Sequence, residues 1–357
     1  MQVFSLLNNK RAAIDLGSST VKILRGAVRK QKVQMDVVDL IDLVKEYGIA
    51  SADELTDDVY MDCLRKAAWR YKLKDIAITL PANEALLRTM TFKTSMTEEN
   101  VLESIEEEMA SHTFEDIDDF QIACCELENE QETENEISML ACAVPHSLID
   151  RYKSILADAN LNPYLFDLDI LAVYNGFYFS KARTLERPAI LIHCGAEYSF
   201  CIIVKKGYKP FFRMLKSGGN DVVTRLMDDA GFTLREAEAF KRHFHSSKMK
   251  QNPTIENINM IEIYCEFAAN LITEVRRSLQ HYQVSEGVTD FAGIYICGGE
   301  ARNQLLASLI HHDLKLPTYL WDPLQEDGAI HVKKSTIYNS HDGLHMASAF
   351  GALVHGD

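Results

Sequence analysis

A short polar turn between two apolar runs, repeated once, constrains the fold of this chain more than any other feature. In the first copy, the turn G-S-S-T at residues 17–20 separates a strand-like run at 12–16 from an antiparallel return at 21–28. In the second copy, about 180 residues later, G-A-E-Y at 195–198 separates two further apolar runs. The repetition predicts an internal duplication in which two glycine turns face each other across a cleft.

The first turn has the chemistry of an anion site. Glycine lets the backbone approach a ligand closely, successive N–H groups converge on it, and hydroxyl groups add donors. Asp15, at the end of the first strand, is placed to hold a hydrated divalent cation, and Lys22 is placed to face the same anion. The alternative is an ordinary hairpin in which Asp15 and the serines bond turn amides. The second copy of the turn favours the ligand site.

Composition excludes several classes of function. The 357 residues suffice for two domains, and 47% hydrophobic residues are typical of a soluble globular protein. A net charge of −15 argues against a nucleic-acid partner and against direct docking on anionic lipid. No apolar run has transmembrane length, and residues 1–10 lack the basic lead of a signal peptide. The eight cysteines form no C-x-x-C pair, which predicts reduced thiols in a cytosolic protein.

The order of elements predicts two lobes. Three strands, a helix and a strand open the chain, as in the ribonuclease-H-like half-domain of actin-like phosphotransferases, and the second half begins in the same way. The predicted parts are a first lobe at 1–83 and 145–186, an inserted β-α-β-β subdomain at 84–144 with an acidic tip at 128–136, a second lobe at 187–216 and 287–341, a helical subdomain at 217–286, and a C-terminal helix at 342–357 that returns to the first lobe.

Several stretches occur in an order and spacing typical of one family. They are I-D-L-G-S-S-T-V-K (14–22), V-P-H-S-L-I-D-R-Y (144–152) with the following A-N-L-N-P-Y-L-F-D-L-D-I-L-A (159–172), F-F-R-M-L-K-S-G-G-N (211–220), R-E-A-E-A-F-K (235–241), E-V-R-R-S-L-Q-H-Y (274–282) and I-C-G-G (296–299). From end to end the chain resembles the PilM family of actin-like cytoplasmic proteins of type IV pilus assembly, and more distantly the cell-division protein FtsA. The resemblance implies an α/β fold with a duplicated ribonuclease-H-like (actin-like ATPase) core, two lobes around a nucleotide cleft, and an inserted β-α-β-β subdomain as in FtsA and PilM.

The resemblance also implies ATP and Mg²⁺ in that cleft. By position, the resemblance implies that the terminal phosphates meet Gly17, Ser18, Ser19 and Thr20, with Lys22 nearby and Asp15 on the hydrated magnesium, while Gly195 and Ala196 hold the opposite side. It also implies that Gly218 and Gly219 border the sugar and that Gly298 and Gly299 border the adenine. The adenosine-contacting helix of the superfamily is matched by Glu274, Arg277 and Ser278. The last three residues lie at i, i+3 and i+4 on one helix face, where an exposed face with an internal ion pair is the alternative.

The chain departs from its relatives in the second turn. His193 stands where an aspartate normally helps to organise magnesium, and an imidazole cannot replace that carboxylate, so Mg²⁺ is in doubt. Glu197 and Tyr198 are bulky, and Glu197 repels phosphate. For hydrolysis, Asp169 is the candidate that positions water and Asp167 the second choice, with helix capping as the alternative for both. We therefore expect an ATPase that is at most weak.

The resemblance implies a cytoplasmic scaffold that reaches the inner membrane through a protein partner. That partner is the cytoplasmic N-terminal tail of a PilN-like bitopic membrane protein, and pilus ATPases and other copies of the chain are further candidates. No direct membrane insertion is expected, because the sequence ends at Asp357 without the amphipathic helix of FtsA-like proteins. Met109, Phe114 and Phe120 are candidates for a partner groove, with core packing as the alternative.

Other functions fit the same fold. A sugar or carboxylate kinase would need an acceptor pocket with a base, and an FtsA-like protein would form filaments. A degenerate scaffold would bind no nucleotide and keep only its protein-binding groove.

Overall fold

A computed structural model of the chain describes residues 10–128, 135–243, 255–325, 329–333 and 343–356. The interpretations made for the first nine residues, for most of the acidic tip at 128–136 and for Asp357 concern residues outside these ranges. Within them the strands form three sheets.

The first lobe is built on a six-stranded sheet with the order β14-β3-β2-β1-β4-β8. Its strands are β1 (Lys10–Leu16), β2 (Thr20–Arg29), β3 (Lys32–Asp42), β4 (Asp75–Leu80), β8 (Asn162–Leu168) and β14 (Ile330–Val332). The first three strands pair antiparallel, whereas β1, β4 and β8 run parallel. Residues 12–14 of β1 are buried without alternation, as expected for a strand covered on both faces.

The second lobe repeats this arrangement. Its sheet has the order β11-β10-β9-β12-β13, formed by β9 (Ala189–Cys194), β10 (Ser199–Val204), β11 (Phe211–Leu215), β12 (Gly293–Cys297) and β13 (Thr318–Leu320). Again three strands pair antiparallel and two more add parallel to the first of them. The predicted duplication is therefore present as two sheets with the same strand order.

The inserted subdomain has the predicted β-α-β-β order. Its strands β5 (Leu86–Lys93), β6 (Phe120–Leu127) and β7 (Glu136–Pro145) form a sheet with β7 in the centre, and the helix α3 (Glu98–Ala110) covers one face. Val101, Ile105 and Met109 lie one turn apart along α3 and form a small core with β7.

The remaining helices cover the two large sheets. They are α1 (Leu43–Glu46), α2 (Asp57–Tyr71), α4 (His146–Asp158), α5 (Asp169–Ser180), α6 (Gly219–Ala230), α7 (Leu234–His243), α8 (Ile255–Glu286), α9 (Gln304–Leu314) and α10 (Ala347–Val354). Among the described residues, no helix combines the length and the apolar composition needed to cross a bilayer.

The helix α5 joins the two lobes. Phe177 of α5 packs against Tyr295 and Trp321, with ring centroids 5.0 and 5.2 Å away, so the first-lobe helix and the second sheet share one core. On its other side α5 packs on α10, where a methyl group added at Gly351 would overlap the backbone of Ala172. Burial of a phenylalanine side chain of this kind contributes about 2–3 kcal/mol to stability.

One segment lies elsewhere than the sequence suggested. Residues 287–341 were assigned to the second lobe, but β14 pairs in parallel with β3 and extends the first sheet. A strand of three residues carries no signal that identifies its partner, because the pairing depends on where the preceding chain leads it.

Candidate functional site

The two glycine turns line a cleft between the lobes that has a volume of about 690 Å³. This is a usual size for a small-molecule site. Five cationic and six carboxylate side chains line the cleft, whereas the whole chain has 37 lysines and arginines and 52 aspartates and glutamates. The lining of the cleft is thus close to charge balance, although the chain as a whole is strongly acidic.

Three of the four carbonyl groups of the first turn already accept hydrogen bonds within the protein. The Gly17 carbonyl accepts from the Tyr60 hydroxyl at 3.2 Å, the Ser19 carbonyl from the Leu43 N–H at 3.0 Å, and the Thr20 carbonyl from the Gly17 N–H at 3.0 Å. Carbonyl oxygens held in this way are less available to repel an anion. All four turn residues line the cleft, as the sequence predicted.

Asp15 and Lys22 form an ion pair beside the first turn. The Lys22 Nζ lies 2.9 Å from Asp15 Oδ2, and Asp15 Oδ1 accepts a hydrogen bond of 2.7 Å from the Thr79 hydroxyl. Burial by itself raises the pKa of Asp15, but the charge of Lys22 and the bond from Thr79 hold that pKa below its usual value. Asp15 is therefore an ionised carboxylate with both oxygens occupied.

The second turn has the same backbone scheme. The Gly195 N–H donates to the Tyr198 carbonyl at 3.1 Å, while the carbonyls of Gly195 and Ala196 accept from the Gly219 and Asn220 N–H groups at 2.9 and 2.6 Å. These two donors belong to the first residues of α6. The N-terminus of α6 therefore bonds the second turn and does not face the cleft as an open anion site.

The side chains of the second turn reach the first lobe. Asn83 donates to Glu197 Oε1 at 3.3 Å, and the Tyr198 hydroxyl donates to Asp169 Oδ2 at 2.6 Å. Glu197 is exposed, whereas Tyr198 is partly buried. This turn is consequently a contact between the lobes.

Asp169 is bonded on both oxygens. Besides the Tyr198 bond, its Oδ1 accepts from the N–H groups of Ala82 and Ile170 at 3.1 and 2.7 Å. Burial raises the pKa of Asp169 to about 7, the bond from Tyr198 opposes this, and the charge of Asp15 adds to it. Asp169 lines the cleft as predicted, but its bonds and its raised pKa suit a structural role better than the activation of water.

His193 lies at the end of β9 and lines the cleft. Its ring stacks on Phe200 with centroids 4.8 Å apart, and among the described residues no partner bonds its buried Nδ1. Burial lowers the pKa of His193 to about 4, although Asp15 opposes this, so the imidazole is neutral at pH 7. The second acidic arm is therefore absent, as the sequence indicated.

A charged network that sequence reasoning missed lines the far end of the cleft. Lys241 of α7 lies 2.9 Å from Glu300 Oε1 and 3.5 Å from Glu238 Oε1, and the Tyr264 hydroxyl donates to Glu300 Oε2 at 2.9 Å. Both carboxylates raise the pKa of Lys241 against the effect of burial. The neighbouring Arg242 pairs with Asp42, at the end of β3, and so joins the helical subdomain to the first lobe.

The expected adenosine helix lies outside the cleft. Ser278 of α8 is fully buried and its hydroxyl donates to the Glu274 carbonyl at 2.9 Å, while Glu274 accepts from Ser217 at 3.4 Å and Arg277 is exposed. Glu238, Lys241 and Arg242 have the same i, i+3, i+4 spacing, within or beside the stretch 235–241, and they do line the cleft. Spacing alone could not choose between the two helices.

Three of the four other predicted glycines also fall outside the lining. A methyl group at Gly218 would overlap the backbone of Ala196 and Glu197, and one at Gly219 would overlap Glu300. Gly298 has a φ of 92°, and its N–H donates to the Leu344 carbonyl at 2.8 Å. These glycines permit close contacts within the protein, and Gly299 lines the cleft.

His345 lies against Gly299, and the nearest ring atom is 3.2 Å from an added methyl group there. Its buried Nε2 has no hydrogen-bond partner among the described residues. Burial, followed by the charges of Lys22 and Arg302, holds the pKa of His345 far below its usual value. Two neutral imidazoles thus line one cleft with nitrogens that water or a polar ligand can bond.

The remaining candidates have structural contacts. Asp167 is buried and bonded by Asn175 at 3.4 Å and by His355 at 3.1 Å. Met109 is fully buried and Phe120 packs against the same core, so core packing holds for both, whereas Phe114 is fully exposed.

The side chains around the first turn do not fit a divalent cation. Magnesium keeps most of its water shell and is usually held through carboxylate oxygens. Here the oxygens of Asp15 and Asp169 already accept from protein donors, and His193 is neutral. Within the described part of the chain, no group of three or more His, Cys, Asp or Glu side chains could hold a metal ion.

Comparisons with known proteins agree with this architecture. The family model "Type IV pilus assembly protein PilM" matches residues 13–351. A solved PilM-PilN type IV pilus biogenesis complex is 17% identical with a TM-score of 0.78, over 97% of this chain and 98% of that one. None of the curated proteins compared with the sequence matches it significantly.

Two further solved structures share the fold at lower similarity. The ethanolamine utilization protein EutJ from Carboxydothermus hydrogenoformans is 12% identical with a TM-score of 0.52, over 99% of this chain and 92% of that one. MreB 5 of Spiroplasma citri, bound to AMPPNP, is 11% identical with a TM-score of 0.52, over 96% and 95%. These likenesses confirm the predicted actin-like fold, and the family match shows that the chain belongs to the PilM family of type IV pilus assembly proteins.

Proposed function

We propose that this chain is an actin-like scaffold of a type IV pilus, or of a related secretion machine. In this proposal it lies in the cytoplasm, binds ATP in the cleft with little or no hydrolysis, and reaches the inner membrane by docking the N-terminal tail of a PilN-like protein. Family membership supports the assembly role. The structural neighbour is a complex with PilN, which makes a PilN-like protein the first partner to test.

The observation that carries the nucleotide proposal is the placement of cations from both lobes around one cleft of an acidic chain. Lys22 and Arg151 come from the first lobe, and Lys241, Arg242 and Arg302 from the second. A nucleotide that contacts both groups of cations would stabilise the arrangement in which the lobes are close. A ligand can shift such an equilibrium only through contacts that differ between its states, and contacts to both lobes do so.

The two ends of the cleft suit the two ends of a nucleotide. The first glycine turn and Lys22 receive the phosphates, while the acidic and polar groups of Glu238, Glu300 and Tyr264 face the sugar and base. Hydroxyl and amine groups of a nucleoside pair with such acceptors.

Weak turnover follows from the state of Asp169. A residue that positions water for attack on a terminal phosphate needs a free, ionised acceptor oxygen. Both oxygens of Asp169 accept from protein donors, and a pKa of about 7 leaves much of it protonated at neutral pH.

Calorimetric titration with ATP, GTP and tripolyphosphate tests the nucleotide proposal. We expect micromolar binding of ATP, weaker binding of tripolyphosphate, and ADP formation close to background. Absence of binding with all three ligands would mean that the chain is a scaffold that binds no nucleotide. ADP formation that depends on an added sugar or carboxylic acid would instead identify a kinase.

The partner proposal concerns the inserted subdomain. Leu102 and Phe114 are its exposed large apolar side chains among the described residues, and Phe114 is fully exposed. An exposed aromatic side chain is a common anchor of protein interfaces. We propose that the PilN-like tail docks beside Phe114, so that attachment to the membrane is indirect.

Fluorescence anisotropy of a labelled PilN-like tail peptide tests this docking. Phe114→Ser should weaken binding about tenfold, as for an interface anchor. Trp69→Ser is the matched control, because Trp69 is 85% exposed but lies on α2 of the first lobe. Equal effects of the two substitutions would place the tail elsewhere.

A further inference from the structure

We infer that nucleotide binding in this cleft requires no divalent cation, because the ammonium group of Lys22 takes the place of the metal beside Asp15. This inference rests on the proposed nucleotide site and specifies its ligand as a nucleoside di- or triphosphate free of metal. It is carried by the positions of Lys22, Asp15, His193 and Asp169.

The Lys22 ammonium occupies the position that a metal ion would need. It lies 2.9 Å from Asp15 Oδ2, and a methyl group added at Gly17 would collide with its Nζ. The Lys22 Nζ therefore lies against the glycine turn and contacts the Asp15 carboxylate at the same time. The lysine side chain is 13% exposed, so its charge is directed into the cleft and not into bulk water.

The carboxylates of Asp15 and Asp169 already accept from protein donors. Thr79 and Lys22 occupy the oxygens of Asp15, and three protein donors occupy those of Asp169. At the matching place on the second lobe, His193 carries no charge. A dication here would meet one paired carboxylate and a neighbouring ammonium, which repels it.

Lys22 has the donors needed for a phosphate. An ammonium group has three N–H donors, and one is directed at Asp15. The other two can meet oxygens of an anion seated in the first turn, together with the hydroxyls of Ser18 and Ser19. The lysine thereby neutralises phosphate charge from within the protein.

Binding of a fluorescent ATP analogue, and of ATP in competition, in magnesium and in EDTA tests the inference. We expect a Kd in EDTA no more than about threefold weaker than in magnesium; any larger weakening overturns the inference. Absence of binding in both buffers would instead overturn the proposed nucleotide site on which it rests. The two failures are thus distinct, and neither needs a variant.

Two substitutions with matched controls assign the effect to residues. His193→Asp restores the second carboxylate, so magnesium should strengthen its binding at least about tenfold, whereas exposed His146→Asp should behave like the native chain. Lys22→Gln should bind ATP at least about tenfold more weakly than the native chain in EDTA, and magnesium should restore part of that affinity. The control Lys206→Gln, at an exposed position, should bind ATP like the native chain. Folding is checked by thermal unfolding, and if the aspartate variant does not fold, Lys22→Gln and its control carry the test. If a folded His193→Asp variant binds ATP with the same affinity in magnesium and in EDTA, the role given to His193 is overturned.

Discussion

The two glycine turns share a backbone and differ in their side chains. In each turn the first N–H bonds the carbonyl three residues later, and the helix that follows the third strand donates to a turn carbonyl. The first turn then carries two serines and a lysine, and its contacts stay within the first lobe. The second carries Glu197 and Tyr198, and its side chains bond the opposite lobe.

This difference shows how a duplicated unit can acquire two functions. The backbone of a tight turn is required by the antiparallel strand pair, so both copies keep it. Only the side chains decide whether the turn receives a ligand or bonds a second lobe. We propose that in this chain the first copy receives the ligand, whereas the side chains of the second bond the first lobe.

The largest expected difference between the turns is in stability. Gly218→Ala places a methyl group against the backbone of Ala196 and Glu197, which cannot move aside, and should lower the free energy of unfolding by about 3 kcal/mol. Gly17→Ala meets the flexible end of Lys22 and should cost less than about 1 kcal/mol. Urea denaturation of both variants measures the two values.

The same pair separates stability from binding. Gly17→Ala displaces the Lys22 ammonium and should weaken ATP binding more than it weakens the fold. If Gly17→Ala proved as destabilising as Gly218→Ala, the first turn would be a structural contact like the second.

The pH dependence of stability should have different signs at the two turns. The pKa of Asp169 is raised to about 7, so between about pH 4 and pH 7 the unfolded chain has released a proton that the folded chain still holds. The free energy of unfolding therefore falls as pH rises through that window. Asp169→Asn removes this loss, so the variant should gain at least about 1 kcal/mol relative to the native chain from pH 5 to pH 8.

Asp15 is the matched case. Its pKa is lowered in the folded state, so its contribution is fully present above about pH 4 and is lost only as pH falls through the folded pKa. Asp15→Asn should thus be less stable than the native chain from pH 5 to pH 8. The difference should change with pH only through the smaller effect of the Asp15 charge on the pKa of Asp169. Parallel curves for the two variants in urea denaturation would contradict the assignment of their charge states.

The smallest expected effect is on affinity. Glu197 is exposed and its carboxylate faces the cleft, so Glu197→Ala should strengthen ATP binding about two- to threefold by removing a like charge. Its bond to Asn83 is exposed, and stability should change by less than about 0.5 kcal/mol. Glu186→Ala, an exposed site outside the cleft lining, is the control. Unchanged affinity would mean that Glu197 does not face the phosphate.

Local patterns in the sequence predicted much of the fold. Apolar runs separated by glycine turns gave both three-stranded units and their parallel additions, and the acidic amphipathic helix α3 gave the inserted subdomain. The strand order fixes which strand ends face the cleft. Residues next to those strand ends could therefore be predicted to line it, and these are residues 17–20 with Asp15, Lys22 and His193.

Other parts of the site depend on tertiary packing and could not be predicted. The spacing of Glu238, Lys241 and Arg242 is the same as that of Glu274, Arg277 and Ser278. Only the packing of α8 on the second sheet, which buries Ser278, keeps the second set of three out of the cleft lining. Likewise Gly218 and Gly298 occur in glycine pairs typical of ligand-binding turns, but in the structure the backbone of another segment of the chain packs against them. Close backbone contacts between segments that are distant in the sequence produce no periodic pattern by which they could be predicted.

Hydrogen exchange of the two turns, with and without ATP in EDTA, tests the central claim most directly. The account predicts that ATP slows amide exchange in the peptide that contains Gly17, Ser18 and Ser19, whereas the peptide that contains Gly195 and Ala196 changes little. Equal protection of both turns, or protection of the second alone, would contradict the division of roles between them.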